Sequence, residues 1–143
     1  MTLDYRVTPR VTAGIEWNPA TGEVQPRGAW FITPERGELP SVVLGAAADR
    51  LSTPEGHAAF LTFAKRIPET GITGFASVKY STIGRMVGYP FGANLELDDS
   101  LVLQVVNDTE HTHAILSKMR NDVAVSLHLA RMKHPGIQLN FRF

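Results

Sequence analysis

Apolar and polar residues alternate with a period of two at both ends of this chain, and nothing else in the sequence constrains its fold as much. Leu3, Tyr5 and Val7 interleave with Asp4, Arg6 and Thr8, and Val11, Ala13, Ile15 and Trp17 interleave with Thr12, Gly14 and Glu16. Successive side chains of a strand point to opposite faces, so each run gathers its apolar residues on one face. Turn residues Asn18 to Gly22 lead into a returning strand from Val24 to Ile32, with Pro26 expected at an edge or bulge because proline has no N–H to donate. Near the other end, Val123, Val125, Leu127 and Leu129 alternate with Ala124, Ser126, His128 and Ala130. Lys133 to Gly136 then turn the chain, and Ile137, Leu139, Phe141 and Phe143 alternate with Gln138, Asn140 and Arg142, which predicts a C-terminal hairpin. Ile72–Tyr80 and Leu101–Val106 read as further strands. The near-continuous apolar run of the second predicts cover on both faces.

Between these runs the local signals are helical. Ser52, Pro54 and Glu55 form a capping pattern that predicts a helix over 53–67, with Ala59, Phe60, Phe63 and Ile67 as its apolar stripe and Pro68 as its stop. Ser41 to Leu51 is ambiguous, and Ala46, Ala47 and Ala48 tilt it toward helix. Asn107 to Thr109 offer a cap, and Ile115, Leu116, Met119 and Val123 have helical spacing, predicting a helix that ends near Asn121. The expected architecture is a single α+β domain over 1–143. It has an antiparallel or mixed sheet of six to eight strands, two or three helices and a C-terminal β-hairpin.

Composition enters where it excludes chemistry. With 143 residues, 43% of them hydrophobic, the chain is long enough for one core. It has no cysteine, which removes disulfides, thiolate nucleophiles and sulfur-ligated zinc. No apolar run approaches the roughly 20 residues of a membrane helix and the first residues carry no secretory pattern, so a cytoplasmic location without a membrane partner is expected. The formal net charge is +0, but residues 110–143 hold five basic residues against two acidic, a net +3, and four of the five histidines.

Candidate chemistry concentrates in that last third. Glu110-His111-Thr112-His113 pairs imidazoles with a carboxylate, and with His128 these residues are the candidates for acid–base catalysis. No metal site is expected, because on a helix residues i and i+2 lie about 200° apart. Gly84 to Gly92 lack the spacing of a phosphate-binding loop, and no cofactor is expected. Arg85, Tyr89 and Phe91 in that segment are candidate contact residues, as are the basic Lys118, Arg120, Arg131, Lys133 and Arg142. The leading expectation is a non-catalytic binding or assembly module that forms a homo-oligomer or joins another protein. The alternatives are a single-strand nucleic-acid-binding protein using the basic third, and a small His-dependent enzyme.

Overall fold

A computed structural model describes residues 1–19, 21–49 and 56–142, with the side chain of Arg142 outside the description. Its strands are β1 (Thr2–Thr8), β2 (Val11–Asn18), β3 (Glu23–Thr33), β4 (Ser41–Ala48), β5 (His57–Ile67), β6 (Ile72–Ser81), β7 (Val87–Gly88), β8 (Phe91–Asp98), β9 (Leu101–Asn107), β10 (Thr112–Arg120), β11 (Val123–Ala130) and β12 (His134–Arg142). Among the described residues there is no helix. The expected α+β class, with its six to eight strands and two or three helices, is therefore corrected to all-β.

Neighbouring strands pair antiparallel in chain order from β1 to β6 and from β8 to β12. One edge of β6 is shared. Residues Ile72–Ala76 pair with β8, Lys79 and Tyr80 pair with β7, and Ser77 N–H donates to the Pro90 carbonyl at 2.7 Å between them, so β7 and β8 act as one interrupted strand. The wall then counts 11 strands and closes through β1 and β12. Closure of an odd number of alternating strands forces one parallel pair. That pair is β1 with β12, and its register is Thr2 with Asn140, Leu3 with Phe141 and Asp4 with Arg142.

Three of the expected helices fall on strands. The stretch 41–48 is β4, which has β3 on one side and β5 on the other. The Ser52–Glu55 cap lies outside the described residues, and 57–67, expected to follow it as helix, is β5. Residues 112–120 are β10, paired in register with β9 and β11. In each case strand partners on both sides supply the backbone hydrogen bonds, and this nonlocal pairing overrides a local helical preference. The hairpin of β11 and β12 is present as expected, in register from Val123 with Phe141 to Ala130 with His134.

The barrel is apolar outside and polar inside. Its most deeply buried side chains include Thr2 at 2% exposure, His113 at 1% and Ser126 at 3%. The apolar partners in the alternation face outward: Tyr5 is 64% exposed and Leu127 53%. The register carries this rule from strand to strand, for outward Leu116 of β10 lies beside Leu127 of β11, which lies beside Ile137 of β12. The Leu101–Val106 strand also splits this way, with Gln104 opposite inward Asn94 and with Val105 exposed, so only one of its faces is covered by protein. Charged side chains on the outer face sit toward strand ends: Lys65 on β5, Asp98 on β8, and Lys118 and Arg120 on β10.

Candidate functional site: the polar interior and its vestibule

Hydrogen bonds between hydroxyls, amides and ion pairs line the inner wall. Thr62 and Ser77 bond across β5 and β6 at 2.7 Å, and Ser117 and Ser126 across β10 and β11 at 2.8 Å. At the β1–β12 seam Thr2 donates to Asn140 Oδ1, which also accepts from Gln138 Nε2 at 2.7 Å. Arg27 of β3 reaches Asp4 of β1 at 3.2 Å, across the intervening β2. Glycine makes that reach possible, because a Cβ on Gly14 would overlap the Leu3 carbonyl and the Asp4 carboxylate. Two aromatic rings use the same device. The Phe60 ring lies where a Cβ on Gly45 would stand, and the Phe75 ring against Gly92, so both hug the wall. Eight strands leave an interior that side chains just fill; this wall, with 11, leaves room for cavities.

The larger of two described cavities, about 590 Å³, opens at the mouth where β4, β6, β9 and β11 end and β5, β8, β10 and β12 begin. Phe60, Ile83, Met86 and Val106 give it an apolar side, and Asp49, Lys79, Asp108, Glu110, His111 and Arg131 a polar one. Its volume falls within the range of small-molecule sites. A cavity of about 290 Å³ at the opposite mouth is lined by Arg6, Pro9, Thr12 and Phe31.

Two clusters hold the vestibule in shape. Lys79 Nζ donates to Asp49 Oδ1 at 3.0 Å, and the Ser81 hydroxyl donates to the other oxygen, tying β6 to the end of β4. Asp108 organises the β9–β10 turn, its Oδ1 accepting from the backbone N–H of Glu110 at 2.9 Å and of His111 at 2.7 Å. Its Oδ2 meets His113 Nε2 at 2.9 Å. Burial pushes the Asp108 carboxyl up, but the backbone N–H groups of His111 and Glu110 and the His113 side chain together outweigh it and hold it below the usual carboxylate range. His113 Nδ1 accepts from the Arg131 backbone N–H at 3.1 Å, which assigns the ring proton to Nε2.

The candidate catalytic residues are thus divided. Glu110 and His111 line the vestibule with His111 Nδ1 3.8 Å from the Glu110 carboxylate, and both are solvent-accessible. His113 spends both nitrogens bracing two turns, so it offers no lone pair to a metal and no free base. His128 lies deeper on the inner wall, opposite Ile115. The expected helix put His111 and His113 on different faces; the chain is instead extended from 112, and His113 points inward because of strand parity. Among the described residues no group of three or more metal-ligating side chains forms.

The candidate contact residues separate as well. Arg85, Tyr89 and Phe91 belong to the connection and strand start beside the vestibule, and Arg131 and Lys133 to the β11–β12 turn at the same mouth. Lys118 and Arg120 stand at the far end of β10, at the opposite mouth, and β12 ends on that side with Arg142. The expected basic third is therefore split between two ends. Asp49, Lys79 and Ser81 were not singled out from sequence, and Asp108 only as part of the Asn107–Thr109 helix cap. Lys79 and Ser81 carried the one available signal, a period of two with Ser77 on β6.

Compared with family models, with curated proteins and with solved structures, the chain matches none, so its functional reading rests on geometry.

Proposed function

We propose that this chain is a membrane-spanning β-barrel whose polar interior, entered through the vestibule, takes up a small polar solute. The observation that carries the reading is the inversion of the barrel: outward side chains are apolar around the circumference apart from a few charges toward strand ends, while the hydrogen bonds and ion pairs lie on the inner wall, among a minority of apolar side chains such as Phe60, Phe75 and Ile115. Water-soluble monomers rarely expose apolar patches beyond about 600 Å². A homo-oligomer, the leading expectation from sequence, covers a sector of such a surface through each interface, whereas lipid covers all of it.

Dimensions and trim fit the same reading. A 9-residue strand such as β10, at about 3.3 Å per residue and a tilt of about 40°, spans about 23 Å along the barrel axis. The apolar band of membrane barrels is about 25 Å tall. Five of the outward aromatics fall toward the mouths, Trp17, Tyr80 and Phe91 at the vestibule end and Trp30 and Phe141 toward the other, while Tyr5 and Phe63 sit at mid-strand. Aromatic rings favour that level because one end is apolar and the other wet. Closure pairs neighbouring strands around the wall, as hydrocarbon requires, with the β1–β12 seam joined by three described register pairs. Among the described residues no helix is long and apolar enough to cross a membrane; in this reading the strands make the crossing.

The test is reconstitution. Full-length chain refolded with phosphatidylcholine vesicles is floated on a density gradient after an alkaline wash, and the vesicles are assayed for uptake of small polar solutes. Flotation that survives the wash, with strand-type circular dichroism, supports the reading; folded protein left at the bottom of the gradient refutes it.

A further inference from the structure

Two turns present opposite charges to the vestibule. Glu110 comes from the β9–β10 turn and Arg131 from the β11–β12 turn, and both line the cavity of about 590 Å³. Other charges on its wall are committed within the protein. Asp49 pairs with Lys79, and Asp108 spends both carboxylate oxygens on its own turn and on His113. Among the described residues no ion pair or hydrogen bond engages the Arg131 guanidinium, and the Glu110 carboxylate has one ion-pair partner, His111 at 3.8 Å. His113 sets the distance between the two turns. It is 1% exposed, accepts the Arg131 backbone N–H on Nδ1 and donates from Nε2 to Asp108, two residues before Glu110. In the strand order β12, β11, β10, β9 the two turns are centred two strand spacings apart, about 10 Å. Arg131 holds a strained position. With Met132 it forms the centre of its turn, both at φ 54° and closed by the Lys133 N–H on the Ala130 carbonyl at 3.0 Å. Glycine, asparagine and aspartate are the usual occupants of such a left-handed pair, and strain of this kind gathers where side chains clamp a ligand.

These features select against simpler ligands. A bare cation or anion leaves one of the two charges unanswered, and neither uses the apolar side built by Phe60, Ile83, Met86 and Val106. A free amino acid carries both charges on one Cα, within the span of a single residue, whereas two or three residues of extended chain reach about 7–10 Å. We infer that the vestibule binds a short zwitterionic peptide of two or three residues with apolar side chains. Its carboxylate accepts from the Arg131 guanidinium, its ammonium donates to the Glu110 carboxylate, and its side chains lie against the apolar wall. Arginine meets a carboxylate through two parallel N–H groups, and hydrogen bonds between charged groups are the strong ones. The inference rests on that part of the proposed function which makes the vestibule the way in for a small polar solute, and not on lipid around the wall.

Isothermal titration of the full chain in detergent micelles with leucyl-leucine measures the binding. Three relatives of the probe are titrated beside it: N-acetyl-leucyl-leucine, which lacks the ammonium, leucyl-leucinamide, which lacks the carboxylate, and leucine. Saturable binding of leucyl-leucine is expected, with each relative weaker by about ten-fold or more. Arg131→Gln should bind leucyl-leucine and its amide alike, and Glu110→Gln should bind leucyl-leucine and its acetyl form alike. A merely structural role for either residue would not match each variant to its own blocked end. No saturable binding of leucyl-leucine by wild-type chain that circular dichroism shows to be folded would overturn the inference. Equal binding of a blocked form or of leucine would do so too, as would a folded variant that still discriminates against its blocked form. Where a variant fails to fold, the wild-type series alone decides. A chain that enters vesicles but does not bind leucyl-leucine loses this inference and keeps the membrane reading; one that binds it and stays in water does the reverse.

Discussion

Leu127→Arg distinguishes a lipid-facing barrel from one facing water. Leu127 sits near the middle of β11, on the outer face between Leu116 and Ile137, and is 53% exposed. On a surface in water the substitution changes stability by no more than about 0.5 kcal/mol. At the midplane of a bilayer an outward arginine on a barrel strand costs about 2–4 kcal/mol. Since about 1.4 kcal/mol is a factor of ten, the folding equilibrium should fall by roughly 30-fold to 700-fold. Val123→Arg, on the same face but at the end of β11, should cost only about 0–1 kcal/mol because its guanidinium reaches the interface. Urea titration of each variant in short-chain phosphatidylcholine vesicles, followed by tryptophan fluorescence, measures both. Equal small costs at positions 127 and 123 would refute the argument, because only a depth-dependent environment separates them.

The remaining predictions concern the inner wall and the turns. Gly14→Ala should destabilise by about 1–3 kcal/mol in the same titration, because its Cβ meets the Leu3 backbone and the Asp4–Arg27 pair, whereas Gly74→Ala, with open space around it, should stay within about 0.5 kcal/mol. The folded state holds Asp108 below its ordinary pKa of 3.8, so its carboxylate contributes stability that is present above that value and lost as pH falls through the lower folded value. Asp108→Asn should therefore lower the urea midpoint at neutral pH, and its deficit against wild type should shrink on acidification below 3.8; a deficit that stays constant with pH would contradict the bonding of this turn.

Strand content was partly legible because alternation is local. The runs at Leu3, Val11, Val24, Ile72, Leu101, Val123 and Ile137 all became strands. β5 was misread because Ala59, Phe60, Phe63 and Ile67 fit a helical stripe, and because the interior admits Ala58 and Phe60 where a polar residue would have made the period of two plain. β10 was misread for a related reason, since inward Ile115 beside outward Leu116 blurs its alternation. Asp108 does cap a local structure, but a β-turn and not a helix. Closure of the barrel was not legible, as the β1–β12 register joins residues 138 apart in sequence. Nor was the inversion: alternation says which residues share a face and is silent on what that face meets. Reading the apolar face as the core is correct for most sheets and fails here, and the small polar residues of the C-terminal hairpin, Ser126, Gln138 and Asn140, turn out to line the interior.

Both tryptophans of the chain, Trp17 and Trp30, lie on the outer face near opposite mouths, so their surroundings report directly on what covers the barrel. The decisive measurement is quenching of their fluorescence by brominated phosphatidylcholines, set against quenching by acrylamide from the aqueous phase. The membrane reading predicts strong quenching by bromines placed at shallow acyl positions, weaker quenching by deep ones, and little by acrylamide. Full quenching by acrylamide with none from brominated lipid, in protein whose circular dichroism shows the folded sheet, would mean that the apolar face meets water or protein and would contradict the account.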